Sequence, residues 1–98
     1  MNIDPSETTL TGRWVPNNQG GIQADAACER INSLVQGRLK KLGRDPSRWD
    51  ALYRDPDDGR LWELIYPQSE LQGGGPPQLR YLTIDEAKQK YGAIAISR

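Results

Sequence analysis

Apolar positions recur along this chain at two different spacings. Between Ala24 and Leu42 the interval is helical: Ala27, Ile31, Leu34, Val35, Arg38 and Leu42 stand at i, i+4, i+7, i+8, i+11 and i+15, a stripe interrupted only by the Arg38 stem. Asp25 lies near the positive end of that helix and Lys40-Lys41 near the negative end, as the helix dipole favours. Gly43 then reads as a C-cap, with Asp45-Pro46 preventing continuation. Gly37 costs up to about 1 kcal/mol inside a helix, so a close helix–sheet contact is expected there.

Elsewhere the interval is two. Leu10–Val15 reads as a short strand with Leu10, Gly12 and Trp14 on one side, followed by a turn at Pro16–Gly21. Trp49–Arg54 and Leu61–Tyr66 read as two strands of a hairpin closed by Asp55-Pro56-Asp57-Asp58-Gly59, with Pro56 suited to the turn and Gly59 supplying a left-handed residue. A further strand spans Leu79–Leu82. Thr83 and Glu86 have capping-box spacing, which predicts a short helix to Tyr91 closed by Gly92. Ala93–Ile96 is left as either an edge strand or a segment lying on the core. These elements predict an α+β fold: a small antiparallel sheet of three to five strands, with one long and one short helix packed on one face. Residues 1–9 are expected to be a flexible arm and residues 10–98 a single domain.

Composition narrows the function. A chain of 98 residues buries one core, and with 36% apolar residues and no Phe the three Trp and four Tyr must supply much of its bulk. Lys plus Arg and Asp plus Glu balance at 13 each. That balance argues against direct nucleic-acid binding and against basic membrane attachment, both of which draw on a cationic excess. The start, MNIDPSETTL, lacks the pattern of a secretory signal, no apolar run approaches a membrane span, and Cys28 has no partner for a disulfide. A cytoplasmic protein is expected.

Candidate chemistry is sparse. There is no histidine, and Ser33, Ser47, Ser69 and Cys28 therefore lack a neighbouring imidazole base. Cys28 reads as a small core residue. One Cys and no His argue against zinc. The Asp55–Gly59 run departs from a calcium loop, because Gly59 arrives one residue early and Tyr66 occupies the twelfth position. In Gly73-Gly74-Gly75-Pro76-Pro77 the prolines carry no amide hydrogen, and neither a helix start nor a lysine follows. The segment is expected to be an ordered corner between strands rather than a phosphate cradle. No cofactor and no catalytic residue is assigned. A pair of carboxylates such as Glu63 and Glu70 keeps a small hydrolase open as an alternative, beside a regulatory adaptor module.

Two features suit a binding surface. Asp55, Asp57 and Asp58 at the hairpin tip, with Glu63 and Glu70, form an acidic patch able to steer a basic partner. Along Leu61–Tyr66 both alternating sets are largely apolar, so aromatic surface is expected either to be covered by the arm or the C-terminal segment or to serve a partner, with Tyr53 and Trp62 as candidate anchors.

The succession TGRW (Thr11–Trp14), WDALYRDPDDGRLWELIYPQSELQGGGPPQL (Trp49–Leu79) and KYG (Lys90–Gly92) resembles the bacterial immunity protein 27 family over roughly residues 10–92. The matching positions are Trp49, Tyr53, Asp55, Pro56, Gly59, Trp62, Glu63, Tyr66, Gly73, Gly74, Gly75 and Pro76. Gln72 departs from the family, in which histidine is common there. The resemblance implies a small cytoplasmic α+β protein, encoded beside a polymorphic or contact-delivered toxin, that works by binding. Its partner would be a cognate toxin domain such as a nuclease, met by a monomer in a one-to-one complex. The expected toxin interface is Tyr53, Asp55, Asp57, Asp58, Trp62, Glu63 and Glu70.

Overall fold

The hairpin expected around Asp55–Gly59 forms the centre of the sheet. The computed structural model describes residues 3–4, 6–16, 20–46, 49–67 and 75–96. In it, β5 (Ala51–Arg54) and β6 (Leu61–Ile65) pair antiparallel, with Tyr53 opposite Trp62 and Leu52 opposite Glu63. Gly59 takes φ +76° and its N–H donates to the Asp55 carbonyl at 2.8 Å, which turns the chain back. β7 (Gln78–Leu82) adds to the free edge of β6, and β1 (Thr9–Thr11) adds to β7, with Thr9 opposite Arg80. β4 (Lys40–Arg44) closes the other side on β5. The five strands run in the order β1-β7-β6-β5-β4, and every pairing is antiparallel. A separate ribbon of β2 (Trp14–Pro16) and β3 (Ile22–Ala24) lies outside this sheet. The single strand expected over Leu10–Val15 is therefore two strands in two sheets, divided at Gly12-Arg13.

The long helix is shorter than its periodicity predicts. α1 spans Ala26–Ser33, with the Asp25 side chain accepting from the Cys28 N–H at 2.9 Å. A π-helical turn over Leu34–Arg38 follows, closed by Leu39 N–H donating to the Leu34 carbonyl at 2.7 Å, and the chain then extends into β4. The expected compensation for Gly37 is missing: a Cβ there would meet nothing within 4 Å. Leu42, which fits the helical stripe by spacing alone, instead packs from an extended strand. Gly43 is not a C-cap. It sits where the register shifts between Lys41 and Gly43, and a Cβ there would stand 2.7 Å from Ile94 Cδ1.

α2 (Ile84–Tyr91) begins as expected, with the reciprocal Thr83–Glu86 capping box, and ends at Gly92. Gly92–Ile96 is a 3-10 helix rather than an edge strand.

Strand alternation separates two cores. One contains Leu10, Ala51, Tyr53, Trp62 and Leu79 of the sheet beneath Ile31 and Leu34, together with Ile3 and Leu39. The other gathers Leu52, Leu61 and Leu82 beneath Ala87, Tyr91 and Ala95. The helices thus cover opposite faces, which corrects the expectation that both pack on one. The reason lies in β6 itself: its alternate positions send Trp62 one way and Leu61 the other, and each side needs a cover.

Candidate partner-binding surface

The hairpin tip was expected to present three aspartates, and the structure treats them differently. Asp55 is only 3% exposed. Its side chain accepts from the Asp57 N–H at 2.9 Å and its own N–H donates to the Arg60 carbonyl at 2.9 Å, so it organises the turn. Burial, reinforced by Asp58, pushes its carboxyl above the usual aspartate range. Asp57 and Asp58 are exposed, and each has a guanidinium partner: Asp57 pairs with Arg38 across from the π turn, and Asp58 accepts from Arg60 Nε at 2.7 Å.

Arg60 ties this tip to the N-terminal segment. Its Nη1 donates to the Glu7 carbonyl at 2.7 Å and its Nη2 to that of Asp4 at 3.2 Å, while its guanidinium lies 4.8 Å from the Trp62 ring centroid. Glu7 in turn takes a two-pronged bond from Arg30, at 2.6 and 2.7 Å. That fork, with the Asp4 N–H, lowers the Glu7 carboxyl to about 2. A shallow groove runs between Asp4, Glu7, Asp57 and Asp58, bordered by Arg30. Its carboxylates are thus interleaved with arginines rather than gathered as a bare acidic patch.

The two aromatic anchors expected at the interface are inside. Trp62 is fully buried and Tyr53 is 6% exposed, both in the core under α1. Burial leaves their bulk to hold the sheet.

Glu63 lies on the opposite face of β6, fully buried yet ionised. Tyr91 Oη donates to it at 2.7 Å, Lys90 Nζ at 2.5 Å and Arg80 Nε at 2.8 Å, and Lys90 also reaches Asp50 at 2.7 Å. Burial pushes the carboxyl upward, but Lys90, Tyr91 and Arg80 more than offset it and hold the group below the usual glutamate range. The same contact, added to burial, drives the Tyr91 phenol far upward. A catalytic acid needs the reverse, a glutamate raised towards neutrality. Glu70, the other half of the expected carboxylate pair, lies outside the described residues, as do Gly73 and Gly74 of the expected corner. Gly75, buried with φ +76°, and Pro76-Pro77 lead directly into β7.

The Glu63 network floors a cleft of about 490 Å³ whose walls include Trp49, Ile65, Tyr66 and Pro67. Trp49 was expected to begin a strand, but it precedes β5 and is 65% exposed. Sequence reasoning singled out Glu63 and missed Arg80, Lys90 and Asp50, which are brought to it by pairing β6 with β7 and by seating α2 on that face. The one available signal was the Lys90-Tyr91 pair of the KYG motif.

Cys28 is buried as expected, its thiol donating to the Arg13 carbonyl at 3.4 Å and pushed up by burial, the opposite of an activated nucleophile. Among the described residues no helix is long and apolar enough to cross a membrane, and no three Cys, Asp or Glu side chains are grouped to hold a metal ion.

A family model described as Immunity protein 27 matches residues 17–83, more than half of the chain. No curated protein and no solved structure matches it.

Proposed function

The chain belongs to the Immunity protein 27 family, and on that premise we propose that it binds a cognate bacterial toxin domain and neutralises it by contact alone. The family match is the observation that carries this reading. The state of Glu63 supports it over a carboxylate hydrolase, since that group is committed to three donors.

The hairpin tip is the first surface we assign to the toxin. Asp57 and Asp58 are exposed there, on the turn of the β5–β6 hairpin, with Asp4 and Glu7 alongside. A toxin that handles nucleic acid presents a cationic cleft, and such carboxylates would speed its approach and fix its register. Asp55, Tyr53 and Trp62 act from within, by holding the hairpin that carries the tip. Glu70 remains part of the proposed surface. The protein works as a monomer in a one-to-one complex in the cytoplasm, where the toxin would act.

The test is co-expression with the toxin domain encoded beside this gene. Rescued growth and a one-to-one complex by light scattering are expected, and survival that does not depend on this chain would overturn the reading. Asp57→Lys with Asp58→Lys is expected to slow association about 10-fold or more at low salt, an effect that fades at high salt. Circular dichroism of the double variant should match that of the parent.

A further inference from the structure

We propose that the cleft beneath Trp49 is a second docking point for the toxin domain, one that seats an aspartate or glutamate side chain of the toxin against Arg80. The inference rests on the toxin-binding reading and names a partner chemistry that the acidic tip does not supply. The cleft lies at the other end of the hairpin from that tip, about 20 Å away by the rise of a strand.

The argument begins with Arg80. Its Nε donates to Glu63 Oε1 at 2.8 Å, and this is the one hydrogen bond of its side chain among the described residues. Glu63 is itself immovable: fully buried, with Tyr91 Oη at 2.7 Å and Lys90 Nζ at 2.5 Å holding its other oxygen. The guanidinium is therefore anchored through Nε while its terminal amino groups keep donors without an acceptor among the described residues, on a side chain that is 45% exposed. A planar fork held in advance is the arrangement that recognises a carboxylate in two-pronged fashion at little entropic cost.

The walls supply the remaining requirement. Trp49 is 65% exposed at the mouth, and Ile65, Tyr66 and Pro67 continue the apolar lining. Tryptophan, tyrosine and arginine are the residue types that dominate binding energy at protein interfaces, especially where neighbouring groups exclude water. Here all three border one cleft of about 490 Å³, room for a few side chains. The charges already present select among anions. Glu63 and Asp50 balance Lys90 and Arg80 within the cleft. A single carboxylate on the open edge of Arg80 is tolerated, whereas a phosphate chain would meet two carboxylates. A protein carboxylate with an apolar neighbour is the occupant that fits.

The experiment uses the full chain and the toxin domain encoded beside its gene, with affinity measured by calorimetry. Arg80→Ala is expected to weaken binding about 30-fold or more and Trp49→Ala about 10-fold, while Glu29→Gln on the far helix changes nothing. Trp49→Ala guards against misfolding of the Arg80 variant, since Trp49 is largely exposed. Arg80→Lys is expected to recover little affinity, because an ammonium lacks the fork. At concentrations that restore the complex, its amine at position 80 should form a zero-length carbodiimide cross-link to a toxin aspartate or glutamate, located by mass spectrometry. Full affinity in both Arg80→Ala and Trp49→Ala overturns this cleft and leaves toxin binding standing. Weakened binding without the cross-link, or displacement of the toxin by a single-stranded oligonucleotide in an Arg80-dependent manner, overturns the acidic occupant. Absence of binding by the parent protein overturns both readings.

Discussion

Glu63 shows most sharply how a residue acquires its meaning from its neighbours. In the sequence it is one acid in an alternating strand; in the fold it is a buried anion shared by Tyr91, Lys90 and Arg80. Glu63→Gln removes the counter-charge of two cations and should cost about 3–5 kcal/mol in chemical denaturation, against about 1–3 kcal/mol for Tyr91→Phe. Glu7 carries a pH prediction. Its carboxyl falls from 4.5 to about 2 on folding, so its contribution is complete above about 4.5 and disappears as pH drops through about 2. Glu7→Gln should therefore lower stability at neutral pH and flatten the acid limb across that window, as followed by thermal melts between pH 2 and 6. Single residues were legible where local chemistry decides them. The Thr83 cap, the Gly59 turn and the buried Cys28 all follow from nearest neighbours. The partners of Asp57 and Glu63 were not, because each guanidinium or ammonium arrives from another element.

The elements themselves divide along the same line. The β5–β6 hairpin and α2 have their start and stop signals within a few residues, and both form near the expected bounds. The segment after Ser33 misleads because Leu34, Val35 and Leu42 satisfy a helical period while β5 leaves an edge to be paired. That edge draws Lys40–Arg44 into extended form, and the π turn absorbs the change. Gly37 in this turn is exposed, with open space where a Cβ would go. Gly37→Ala is expected to be neutral or to stabilise by up to about 1 kcal/mol through the unfolded chain. Gly12 behaves oppositely. A Cβ there would stand 2.8 Å from the Pro77 carbonyl and 2.5 Å from Cys28 Sγ, so Gly12→Ala should cost about 1–3 kcal/mol in the same assay.

At the scale of the molecule, the class of fold was legible and the placement of its layers was not. Alternation along β6 announces that both of its sides need covering, yet nothing local says which helix takes which side. Strand order is equally hidden at one edge, since β1 reaches its neighbour β7 from far along the chain. The two proposed contact points sit at opposite ends of one hairpin, so toxin contacts at both would span the sheet rather than crowd one loop. The pairing of Thr9 with Arg80 also sets a clock on the molecule's birth. Roughly 70 residues separate these partners, so at about 5–20 residues per second the first strand must wait some 4–14 s for its mate to be synthesised. Until then β1 has no strand to pair with, and the five-stranded sheet is completed only after β7 has been made.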